Sequence, residues 1–125
     1  MGIKDLPNYD PRFVVAVDYD GTLTDDGFEG NIIPDRVADI VDLQQKGTVI
    51  ILWTCRCGAV LDEILINLKG HGFVPNYVNE YPLRGESRKV NADYYVDDRN
   101  CLGLDWDESM KFLKSEIENG QYEVN

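Results

Sequence analysis

The sequence predicts an α/β domain in three layers, with a mostly parallel sheet and helices on both faces. Three observations predict it. Residues 13–17, "FVVAV", are apolar at every position, as a strand covered on both sides requires. Within "TVIILWT", residues 48–54, the five positions between the threonines form a second such run. Between and after these runs the apolar residues recur at helical spacing, and strands alternating with helices imply right-handed crossovers and parallel pairing.

Each element follows in order. The segment "NIIPDRVADIVDLQQKG" predicts a helix beginning at Pro34, a residue tolerated in a first turn. Ile33, Val37, Ile40 and Val41 share one face, and Lys46 with Gly47 marks the stop. After the second strand, "GAVLDEILINLKGHG" predicts a second helix with Leu61, Ile64, Leu65 and Leu68 inward, and His71 in an exposed loop beyond it. "NYVNE" predicts a short third strand and "ADYYVDD" a fourth, with Tyr94 and Tyr95 on opposite faces. A last helix is predicted from an Asp105 N-cap with Glu108 three residues on, its stripe of Trp106, Met110, Leu113 and Ile117 packing on the core.

A chain of 125 residues fits a single domain, 1–125, with an N-terminal tail over 1–11 and a short flap over 24–33. The formal net charge is −11. That charge repels polyanions and argues against general nucleic-acid or membrane-surface binding. No apolar run approaches the ~20 residues of a membrane span. The opening "MGIKDLPNYDP" lacks the basic-then-apolar pattern of an export signal. Cys55, Cys57 and Cys101 are odd in number and have no partners at zinc spacing, so they read as small apolar residues in a reduced, cytoplasmic protein. Cys55 is also adjacent to the site discussed next.

In open α/β sheets, ligands bind beyond the carboxyl ends of the strands. Those ends carry Asp18 and Asp20 after the first strand, Thr54 after the second, and Asp97 with Asp98 after the fourth. Carboxylates gathered at one point repel unless a cation lies between them. An all-oxygen set suits a hard ion, and Mg²⁺ takes few carboxylates together with water and phosphate oxygens. A carboxylate beside such an ion can act as a nucleophile. A second one, two residues on, could swing back as acid and base if the chain bends at Gly21. Thr54 offers a hydroxyl and a following N–H to phosphate oxygens, or simply ends its strand. Arg84, Arg88 and Lys89 in "LRGESRK" supply cations, Arg56 contacts substrate or caps a helix, and Tyr19, within the first motif, could brush a substrate.

In their order, "DYDGTLT", "LWTCR", a lysine and "YYVDD" resemble the four motifs of the haloacid dehalogenase superfamily of phosphohydrolases, over residues 13–100. The resemblance implies a Rossmann-like fold and Mg²⁺-dependent hydrolysis of a phosphate monoester through an aspartyl-phosphate. It makes Asp18 the nucleophile and Asp20 the acid/base, whose carbonyl also binds the metal. Thr54 would bind phosphate, flanked by Cys55 and Arg56. Lys89, with Arg88 as rival, would steady nucleophile and phosphate. Asp98, with Asp97 as rival, would complete the metal site. Leu102 stands where many members carry a further acid. The segments after the first and second motifs are too short for a cap domain, and an open, capless site leaves an oligomer with a borrowed lid possible. Asp20 favours phosphate over halide chemistry. A non-catalytic Mg²⁺/phosphate-binding module, or phosphoryl transfer to an acceptor other than water, are the alternatives, and the substrate is open.

Overall fold

A computed structural model describes residues 12–26, 30–81, 92–97 and 105–119. Four strands and three helices alternate along the chain: β1 (Val14–Asp18), α1 (Pro34–Gln45), β2 (Val49–Trp53), α2 (Gly58–Gly70), β3 (Tyr77–Val78), β4 (Tyr94–Val96) and α3 (Trp106–Asn119). The strands form one all-parallel sheet in the order β3-β2-β1-β4. The fold is thus the Rossmann-like α/β architecture expected, and the described residues contain no cap domain.

Period-two alternation divides the sheet cleanly. Val15, Val17, Ile50 and Leu52 pack in one cluster with Val37, Ile40 and Leu43 of α1, Ile64 and Leu68 of α2, and the α3 stripe of Trp106, Met110 and Leu113. Val14, Ala16, Val49 and Ile51 form the other face, with Tyr81, Tyr77, Ala92 and Tyr95. All three described helices therefore cover one face, whereas the sequence predicted helices on both. The strand order supplies the reason. β1 to β2 and β2 to β3 step in the same direction, so right-handed crossovers place α1 and α2 together. Residues 82–91, between β3 and β4, lie outside the described residues. Tyr94 and Tyr95 split between the two clusters as expected.

Helices α1 and α2 stop in the same way. Gly47 and Gly72 sit just past the helix ends at φ +96° and +86°. In α1 the Thr48 N–H returns to the Leu43 carbonyl at 3.1 Å, and in α2 the Phe73 N–H returns to Leu68 at 2.9 Å. This glycine-terminated hydrogen-bond pattern satisfies orphan carbonyls and brings an apolar residue back onto the last turn. Phe73 and Leu68 are both fully buried. At the other end of the chain, the Asp105 carboxylate accepts the Glu108 N–H at 3.1 Å, so the predicted cap of α3 forms.

Candidate functional site

Asp18 is the last residue of β1 and lies in register with Trp53, the last residue of β2, so Thr54 follows one step beyond. On the other side Val17 pairs with Val96, which puts Asp97 at the first position past β4. Alternation then turns Asp18 and Asp97 to the same face. They line one cavity of about 40 Å³ with Ala16, Trp53, Tyr95 and Val96. Two of the strand-end acids singled out from the sequence are therefore neighbours in space, because adjacent parallel strands end at the same level.

The chain leaving β1 folds into a tight turn. The N–H groups of Thr22 and Leu23 donate to the Tyr19 carbonyl at 3.2 and 2.9 Å, and Gly21 takes a φ of +76°. This is the bend at Gly21 that the sequence suggested, and only glycine enters that region freely. The turn brings the Thr22 hydroxyl back to donate to Asp18 Oδ2 at 3.2 Å. Beyond it, Thr24 bridges Ile32 in an antiparallel pair, and the Asp25 N–H donates to the Asn31 carbonyl at 2.9 Å, so the described arms of the segment pair as in a hairpin. Tyr19 departs from expectation. It is buried in the helix-side cluster. An aromatic ring there fills core volume, while burial and then the nearby Asp20 carboxylate raise its hydroxyl above the ordinary value, with Arg56 opposing.

Thr54 is nearly buried, and its N–H donates to Asn79 Oδ1 at 2.7 Å. Its hydroxyl accepts the Arg56 N–H at 3.1 Å, which fixes the loop leaving β2. Arg56 neither caps a helix nor stands free for substrate. Its Nε–H and Nη2–H donate to Asp20 Oδ2 and Oδ1, each at 3.0 Å, in a two-pronged ion pair. Cys55 and Cys57 are exposed thiols, so the apolar packing role expected of them does not hold. They sit on the loop that turns from the sheet edge into α2, where little covers them.

Arg84, Arg88, Lys89, Asp98, Cys101 and Leu102 lie outside the described residues. Among the described residues no group of three His, Cys, Asp or Glu side chains gathers as a metal centre. The oxygens of Asp18 and Asp97 on one cavity are nonetheless a donor set that fits Mg²⁺, which uses one or two carboxylates and completes its shell with water and phosphate.

Four residues of the site escaped the sequence reading. Trp53 and Tyr95 line the acidic cavity, and strand alternation carried to the fourth strand would have found them. Asn79 takes a φ of +56° and holds the Thr54 N–H; asparagine tolerates that region, but nothing in "NYVNE" singles out this one. Arg36 donates to the Thr22 carbonyl at 2.7 Å and lies 5.0 Å from the Trp106 ring centre. It looked like one more charge on a helix face. Arg36 and Trp106 also border a larger hollow of about 400 Å³ with Asp35, Asp39, Asp105 and Asp107. That hollow is wide and acidic but lacks Asp18, Thr54 and Asp97, so the smaller cavity is the better candidate site.

No family model matches the chain, and no curated protein matches it. Among solved structures, the conserved protein coded by a locus from Bacteroides thetaiotaomicron shares the fold with a TM-score of 0.75. The two are 33% identical over 88% of this chain and 99% of that one. At that identity and coverage, the chain belongs to the same family as this conserved Bacteroides protein.

Proposed function

We propose that the chain is a Mg²⁺-dependent phosphohydrolase of the haloacid dehalogenase type, cleaving phosphate monoesters through an aspartyl-phosphate on Asp18. One observation carries the reading. Asp18 and Asp97, on adjacent parallel strands, share a cavity at the carboxyl edge of the sheet, and the Thr22 hydroxyl holds an Asp18 oxygen. Asp18 and Asp97 would hold the ion, with Asp98 as the further acid proposed for that shell. When bound, Mg²⁺ supplies positive charge that offsets the carboxylates and the incoming phosphoryl oxygens.

The chain's own residues then divide the work. One Asp18 oxygen attacks phosphorus, a bond forms from Asp18 to phosphorus, and the bond to the ester oxygen breaks. Asp20 gives its proton to the departing oxygen, then takes one from the water that cleaves the acyl-phosphate. The Thr54 hydroxyl, oriented by the Arg56 N–H that it accepts, still has its own proton to donate to a phosphoryl oxygen. Lys89 or Arg88 would add the cation. A reducing, cytoplasmic setting is part of the proposal, and the exposed thiols of Cys55 and Cys57 suit it.

A panel of phosphate esters led by an aryl phosphate tests the reading. Hydrolysis should appear with Mg²⁺, vanish with EDTA, and vanish in Asp18→Asn with the fold retained. The ion pair that occupies both Asp20 oxygens favours the alternative of a non-catalytic binding module. Inertness across the panel, with Mg²⁺ and beryllofluoride still bound, would select that alternative.

A further inference from the structure

Asp20 and Arg56 lie 36 residues apart in sequence, each two positions past a strand-end residue of the site, Asp18 and Thr54, and they meet where the loops leaving β1 and β2 adjoin. A guanidinium fork matched to a carboxylate is the strongest common geometry for such a pair. Each side chain is roughly a quarter exposed, at 24% for Arg56 and 21% for Asp20, so solvent and solutes reach the pair. The Arg56 backbone does not move with the side chain, because its N–H is held by the Thr54 hydroxyl at 3.1 Å. The fork can therefore pivot while the loop stays in place.

Resting on the phosphohydrolase reading, we infer that Arg56 determines specificity: it holds Asp20 in check until a substrate carrying a second anionic group, a carboxylate or another phosphate, draws the guanidinium away. With both oxygens held in the plane of the fork, Asp20 cannot reach a leaving oxygen. Turning the guanidinium away strands the Nε–H and Nη2–H that Asp20 had satisfied. An anion carried by the substrate is a matched acceptor for those N–H groups. Exchange of one carboxylate for another is nearly even in energy, whereas a substrate with a neutral tail must break the pair with nothing in return.

The test compares phenyl phosphate with para-(carboxymethyl)phenyl phosphate, whose leaving groups are nearly alike. Wild-type protein should favour the carboxylated ester by about tenfold in kcat/KM, and Arg56→Ala should abolish that preference, with Arg56→Lys intermediate because lysine keeps the charge but not the fork. The corresponding phosphonates give a readout free of turnover: the Arg56 Nε–H resonance, assigned by its loss in Arg56→Lys, should move with the carboxylated phosphonate and stay with phenylphosphonate. Equal rates on the two esters, a preference that survives Arg56→Ala, or a resonance indifferent to both phosphonates overturns the inference. A protein inert to both esters whose Arg56 resonance still responds to the carboxylated phosphonate alone supports the exchange and removes the phosphohydrolase reading. If Arg56→Ala does not fold, Arg56→Lys and the resonance decide.

Discussion

The Thr22 hydroxyl donates to Asp18 Oδ2 at 3.2 Å, so a residue four positions along the chain holds one oxygen of the acid that ends β1. Thr22 is itself completely buried, and Arg36 grips its carbonyl at 2.7 Å. The contact fixes the orientation of the Asp18 carboxylate. Thr22→Val keeps the shape and deletes the donor, a change worth about 1.5–3 kcal/mol for a bond to a charged group. We expect kcat/KM on an aryl phosphate to fall by roughly tenfold or more, with Thr22→Ser close to wild type. Unchanged turnover in Thr22→Val would remove Thr22 from the positioning of Asp18.

Asn79 does two things at once, and the two can be separated. Its backbone has a φ of +56°, and its Oδ1 accepts the Thr54 N–H at 2.7 Å. Asn79→Gly keeps the backbone at ease and loses only the acceptor, so it should cost about 1–3 kcal/mol for the unsatisfied donor. Asn79→Ala loses the acceptor and adds about 1–2 kcal/mol of left-handed strain. Urea unfolding should rank wild type above glycine and glycine above alanine. Alanine matching glycine would show that the backbone there relaxes.

The flap hairpin is tight at Gly30. A Cβ built there would lie 2.5 Å from the Asp26 nitrogen, 2.8 Å from its carbonyl oxygen and 2.9 Å from Asp25 Oδ1. Since backbone atoms cannot yield as a side chain does, Gly30→Ala should open the hairpin and cost about 1–3 kcal/mol. Hydrogen exchange checks it, because the Asp25 N–H bonded to the Asn31 carbonyl and the Ile33 N–H bonded to the Leu23 carbonyl should lose protection first.

Tyr19 sets an alkaline limit. Its folded hydroxyl titrates above its ordinary value of 10.0, chiefly through burial and then through Asp20. A group with a raised folded pKa contributes stability that is complete below its unfolded pKa and lost as pH rises toward the folded one. Stability should therefore decline above pH 10, and Tyr19→Phe should flatten that decline while leaving the neutral plateau in place. An equally steep alkaline loss in the variant would assign it to other groups.

The sequence alone determined the strands, the helices and which acids end the strands, because strand runs, helical spacing and the Pro34, Gly47 and Asp105 signals are local and each is set by neighbours a few residues away. The bend at Gly21 was legible for the same reason. Tertiary structure decided what those signals do not contain. It put Asp97 beside Asp18 through the β1–β4 register, gave both Asp20 oxygens to Arg56, sent Tyr19 into the core, and brought Asn79 under Thr54. Each of these depends on strand order and on residues far apart in the chain. Periodicity tells a residue which face it occupies, whereas only the packed sheet tells it which partner waits there.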